Sequence, residues 1–257
     1  MSINSRLVRK NLSRFKLVTF DVTDTLLRFS RPPEMQYAMA ARHLGCHGIE
    51  EQALSVCFGK HFKRMARDYP NFGKGSKYDW RWWWRTLVMD IFRDSHRHLS
   101  EAMLGRVADQ LIEDYATGYC WTKVDMADRM VELARAHGKQ IGIVSNFDPR
   151  LSHILEAMKI PTDFIVTSYD VGIQKPSQEI FDFALSLCSS SVLPGEALHV
   201  GNTPKLDYVG AKRAGWASIL VNVNKQEVCS DSEIDPRHVF ANFQEFIHAL
   251  ETTEMKW

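Results

Sequence analysis

The chain has 257 residues, of which 45% are hydrophobic and 25% charged, enough for one ample core or two modest ones and too apolar for intrinsic disorder. Its 32 basic and 31 acidic residues nearly cancel, which excludes a general attraction for nucleic acid or an anionic membrane and makes any anion site a local one. No run approaches the ~20 consecutive apolar residues of a membrane span, and the first twenty residues lack the apolar block of a secretory signal.

The N-terminal segment carries Arg6, Arg9, Lys10, Arg14 and Lys16 with Ser2, Ser5 and Ser13 and no acid. That composition suits a mitochondrial transit peptide. A ragged basic terminus is the preferred reading, because the first strand begins almost at once, and a cytoplasmic location is expected with mitochondrial or nuclear ones as alternatives. Cys46, Cys57, Cys120, Cys188 and Cys229 are scattered without a C-x-x-C pair or zinc-site spacing, so they are expected to be reduced thiols and not ligands.

Five short apolar runs read as buried strands, at 16–21, 139–145, 164–168, 197–201 and 217–222. Helix-length periodic stretches at about 150–159, 178–188 and 205–214 separate the last four. This is the rhythm of an α/β fold, a Rossmann-like parallel sheet with helices on both faces. Such sheets place their sites at the carboxyl ends of strands, where Asp21, Ser145 and Asn202 fall. The interval from about 29 to 121 breaks the rhythm, with helices expected around 34–44, 51–68, 79–93 and 100–118. The expected organisation is a Rossmann-like core of 1–29 and 121–257 with an inserted helical cap, 30–120, that screens the site from water.

Within the insertion, Trp80, Trp83, Trp84, Leu87, Val88 and Ile91 follow one helix face and read as core, leaving Trp82 off the stripe. Arg81 and Arg85 beside tryptophans suit base stacking, but the balanced total charge argues against nucleic acid. His96 and His98, at i and i+2, share no helix face and are read as solvated.

Four segments carry the chemistry: Phe20-Asp21-Val-Thr-Asp-Thr-Leu-Leu27, Val144-Ser-Asn146, Lys175-Pro176 and His199-Val-Gly-Asn-Thr-Pro-Lys-Leu-Asp-Tyr-Val-Gly-Ala211. In this order, each near a strand, they resemble the motifs of the haloacid dehalogenase superfamily: D-x-D-x-T, a strand-ending Ser or Thr, a Lys often followed by Pro, and G-D-x-x-x-x-D. Tyr69-Pro-Asn-Phe-Gly73, Trp82-Trp-Trp84 and Ser145-Asn-Phe-Asp-Pro-Arg150 further resemble an animal subgroup of it. The resemblance covers nearly the whole chain and implies a small phosphorylated substrate attacked by Asp21 through an aspartyl-phosphate. Lys175 and Ser145 would be the other catalytic groups, Asn146 and Thr25 would bind substrate, and Asp21, Thr23, Asn202 and Asp207 would hold Mg²⁺. No nucleic-acid or membrane partner is expected, and the sequence leaves the oligomeric state open.

Two positions depart from the pattern. Thr23 stands where the family's second aspartate protonates the leaving oxygen, help worth roughly 3–5 kcal/mol of barrier. Asn202 stands where motif four supplies a metal-binding carboxylate, so Mg²⁺ is expected to bind weakly or not at all. Both changes also suit metal-free displacement at carbon, as in the haloacid dehalogenases proper, or a binding or scaffold protein with impaired chemistry. Lys175→Ala is expected to weaken binding of phosphate mimics and, if crowded functional charge is strained there, to raise thermal stability.

Overall fold

The computed structural model describes residues 5–223, 228 and 232–257, and Cys229 lies outside them. The described residues form two compact units, one drawn from 1–28, 123–146 and 159–257, the other from 29–122 and 147–158.

The first unit is built on a five-stranded sheet of β1 (Leu17–Phe20), β4 (Gln140–Ser145), β5 (Phe164–Thr167), β6 (Ala197–Gly201) and β7 (Ala217–Leu220), in the order β5-β4-β1-β6-β7. Every pairing is parallel. β1, β6 and β7 are buried along their whole length, which explains their near-continuous apolar reading. Helices α6 (Ala127–Ala136), α8 (Ser168–Val171), α9 (Gln178–Ser186) and α10 (Gly210–Arg213) lie between strands, with a π-helical turn, Pro204–Val209, running into α10. Two short strands, β2 (Leu27–Phe29) and β3 (Trp121–Lys123), pair as a separate sheet.

The N-terminal segment is not ragged. Helix α1 (Ser5–Leu12) buries Val8, Asn11 and Leu12, an i, i+3, i+4 stripe, while Arg6, Arg9 and Lys10 stay exposed. It packs on α11 (Phe243–Thr252). The Asn11 amide donates to the carbonyls of Leu250 and Thr253 at 2.9 and 2.7 Å, and its Oδ1 accepts from the Met255 N–H. Local composition could not reveal this, because the partner lies some 240 residues away.

The second unit gathers α2 (Pro33–His43), α3 (Glu51–Asp68), α4 (Trp80–Ser95), α5 (Glu101–Ala116) and α7 (Leu151–Ala157). Asp79 caps α4 by accepting from the Trp82 N–H, and Ser100 caps α5. Trp83, Leu87, Val88 and Ile91 are buried as the stripe requires. Trp80 and Trp84 are only half-buried. They stack on the Arg150 guanidinium at 5.2 and 4.9 Å, and the Trp84 indole donates to Asp148, itself paired with Arg150 at 2.7 Å. The three subgroup signatures thus meet in one cluster, since Phe72 also stacks on Trp84 and the Trp83 indole donates to the Tyr69 carbonyl. Arg81 and Arg85 pair with Glu113 and Asp109 on α5. His96 is not solvated: it is buried, accepting from the Glu50 N–H at Nε2 and meeting Ser95 Oγ at Nδ1, and burial pushes its pKa down. His98 is exposed, as expected.

Candidate active site

β1 is the middle strand, and the chain leaves its carboxyl end at Asp21, whose N–H still bonds the Val200 carbonyl of β6. The backbone then turns sharply. Asp24 sits at φ +58°, the N–H groups of Thr25, Leu26 and Leu27 return to the Val22 carbonyl, and Asn222 braces the turn from β7 by donating to the Asp24 carbonyl at 2.9 Å. Strand ends β4 and β6 flank β1 and present Ser145 and Gly201-Asn202.

One ammonium organises what these ends carry. Lys175 Nζ donates to Asp21 Oδ1 at 2.7 Å, to Asp207 Oδ1 at 2.6 Å and to the Val144 carbonyl at 2.8 Å. Its three hydrogens are thereby used. Ser145 Oγ also donates to Asp21 Oδ1, at 2.9 Å. Among the described residues none donates to Asp21 Oδ2. Asn146 holds Lys175 from behind: its Oδ1 accepts the Lys175 N–H at 2.8 Å and its Nδ2 donates to the Lys175 carbonyl at 3.0 Å.

Asp207 is saturated. Oδ1 takes Lys175 and His199 Nε2, the latter at 3.1 Å, and Oδ2 takes the N–H groups of Asn202 and Thr203 at 3.1 and 2.8 Å. The fit depends on Gly201, where a Cβ would fall 2.3 Å from Asp207 Cγ. Asn202 Oδ1 receives the hydroxyls of Thr25 at 3.3 Å and Thr203 at 3.4 Å. No described residue bonds the Thr23 hydroxyl.

Two carboxylates compete for the single ammonium. For Asp21, burial is the largest influence and raises its pKa, with Lys175 opposing and the Asp207 charge adding to it. Burial pushes Asp207 the same way but is outweighed by Lys175 and the His199 contact, so Asp207 ends well below the usual range. Burial alone would lower Lys175, yet the two acids overcome it and hold the ammonium firmly charged.

All eight sequence-predicted residues therefore lie in the first unit, and all but Thr23 join one hydrogen-bonded network. Sequence reasoning missed Thr19 and His199. Thr19 Oγ lies 2.8 Å from His199 Nδ1, and both are fully buried. Their signal was available: each is a lone polar residue inside an apolar strand run, two positions before Asp21 and Gly201.

The sequence profile described as haloacid dehalogenase-like hydrolase matches residues 15–215. The chain belongs to this family of hydrolases. Within the family it is 33% identical to the rhythmically expressed gene 2 protein of Drosophila melanogaster, over 96% of this chain and 100% of that one. It is 32% identical to the haloacid dehalogenase-like hydrolase domain-containing protein 3 of Mus musculus, over 94% and 96%. In fold it resembles a 2-haloacid dehalogenase from Pseudomonas syringae pv. Tomato DC3000, with a TM-score of 0.63, 22% identity, and 92% of this chain and 98% of the other covered. A haloacid dehalogenase-type phosphatase from Thermococcus onnurineus gives a TM-score of 0.56 at 20% identity, with 94% and 100% covered. No helix among the described residues is long and apolar enough to cross a membrane.

Proposed function

We propose that the chain hydrolyses a small phosphorylated molecule through an aspartyl-phosphate formed on Asp21. The asymmetry of that carboxylate carries the reading: Oδ1 is fixed by Ser145 and Lys175, and Oδ2 receives no donor from the described residues. Oδ2 forms the bond to phosphorus while the bond to the leaving oxygen breaks and its electron pair departs. Water then attacks, releasing inorganic phosphate and restoring Asp21. Lys175 supplies fixed positive charge beside the transferring group and, with Ser145, holds the attacking carboxylate in place. Asn146, whose amide is spent on the Lys175 backbone, acts by positioning Lys175. In this reading residues 1–29 and 121–257 are the hydrolase core and 30–120 an inserted helical cap.

Mg²⁺ fits the donor set poorly. It demands several hard oxygens in near-octahedral array, whereas both Asp207 oxygens are taken, Asn202 offers a neutral amide already receiving two hydroxyls, Thr23 brings no charge, and of the two acids only Asp21 Oδ2 receives no donor from the described residues.

Thr23 can neither protonate a leaving oxygen nor activate water near neutral pH, so substrates with weakly basic leaving groups are favoured. The test is a rate series over alkyl, aryl and acyl phosphates for wild type and Thr23→Asp. Wild type is expected to slow steeply as the leaving group becomes more basic. Thr23→Asp should flatten that slope, gaining about 10²-fold on alkyl phosphates and little on acyl ones. Rapid cleavage of alkyl phosphates by wild type, or an equal gain on every substrate, would overturn the proposal. The same neutral positions favour a second reading, displacement of halide from carbon by Asp21. Halide release from a haloacid, without turnover of any phosphate, would select it.

A further inference from the structure

A parallel sheet buried on both faces is expected to be apolar throughout, yet one level of this sheet is not. Thr19 of β1 is in register with His199 of β6, and His199 with Ser218 of β7. All three are fully buried. A polar row in a core is costly unless every group is paired, and here each pairing leads to Asp207. Ser218 Oγ lies 3.3 Å from the carbonyls of both His199 and Asp207.

His199 has two neighbours and one consistent hydrogen placement. Asp207 accepts only, so the proton sits on Nε2 and is donated to Asp207 Oδ1, while the bare Nδ1 accepts the Thr19 hydroxyl. The opposite tautomer would set a lone pair against a carboxylate oxygen. Phe181 packs edge-on against the imidazole at 5.4 Å and limits its rotation. The oxygen that His199 reaches is the one that shares Lys175 with Asp21.

We propose that His199 is a positioning residue for the reaction at Asp21: its Nε2–H, fixed by Thr19, satisfies Asp207 so that Lys175 stays divided between the two carboxylates. Without this donor, Asp207 Oδ1 would have Lys175 alone and would draw the ammonium off Asp21, loosening the attacking carboxylate. The proposal rests on the reading of Asp21 as nucleophile and extends it one layer inward.

The test uses the full chain with an aryl phosphate. His199→Phe, which keeps a ring against Phe181, should lower kcat about ten- to a hundredfold with KM nearly unchanged, because His199 touches Asp207 and not the substrate. His199→Gln keeps an N–H donor at similar reach and should restore most of kcat. Thr19→Val keeps the shape, removes the fixing hydroxyl, and should lower kcat in the same direction but less; it serves as the probe if His199→Phe does not fold. Independently of turnover, ¹⁵N spectra of the histidine side chains should show His199 as the neutral Nε2–H tautomer, identified by its loss in His199→Gln. A wild-type Nδ1–H tautomer, a folded His199→Phe with unchanged kcat, or a loss that glutamine does not rescue would each overturn the proposal. If wild type hydrolyses no phosphate ester, the phosphatase reading falls and the tautomer alone judges the lock.

Discussion

Lys175→Met is expected to destabilise the fold by about 3–5 kcal/mol, the usual cost of removing one partner from a buried ion pair, and to abolish turnover. In a protein of this size that is a fall in Tm of roughly 6–20 °C. The sequence alone suggests the opposite sign, on the argument that crowded functional charge is strained. The geometry reverses it, because Lys175 is the one cation between two buried carboxylates and also satisfies the Val144 carbonyl. Methionine matches the volume but takes the countercharge from both acids and the ammonium donor from the Val144 carbonyl. The deficit should shrink as pH falls, since the orphaned acids relieve themselves by taking up protons. Urea denaturation of both proteins at pH 7 and pH 5 checks this. Equal stability at pH 7 would mean that water reaches the carboxylates freely.

Asp21→Asn should behave in the opposite way, with turnover lost and stability gained. Burial raises the Asp21 pKa above its ordinary value, so its contribution to stability is full when the acid is protonated, below the ordinary carboxylate range. It is lost as pH rises through the raised value. At neutral pH the ionised form is therefore a cost that the amide removes, leaving one ammonium for one carboxylate. The melting temperature of Asp21→Asn should exceed that of wild type at pH 7, and the gap should close on acidification. The same ionisation governs attack, so the acid limb of kcat/KM should lie above the ordinary carboxylate range. A folded Asp21→Asn that keeps more than a few percent of wild-type activity, or that melts lower at neutral pH, would reject the account.

Much of this was legible in the sequence because it is local. The strand runs ending at Asp21, Ser145 and Gly201 are each recorded in a few consecutive residues, and the sheet brings their ends together by the general habit of parallel α/β folds. The helix expected at 51–68 has those same bounds in the structure. What escaped depends on partners distant in sequence. The row Thr19, His199 and Ser218 requires strand register, the α1 stripe requires a C-terminal helix to lie on, and the burial of His96 requires the Glu50 N–H from 46 residues upstream. From the sequence Asp207 reads as a metal-site carboxylate, and its four donors cannot be counted without the turn that aims the Asn202 and Thr203 N–H groups at it.

The two units also differ in how their chain is laid out. Residues 29–122 form an almost complete unit from one uninterrupted stretch, whereas β1 must wait for β4 and β6, more than a hundred residues later, before it has any neighbour. Local contacts close quickly, and distant ones must first overcome the entropy of the intervening chain. The insertion is therefore expected to order before the domain it interrupts, both on refolding and during synthesis. Pulsed hydrogen exchange on refolding protein would register it as early protection of amides in α3, α4 and α5, ahead of those in β1 and β6. Simultaneous protection would mean that the two units fold as one cooperative body.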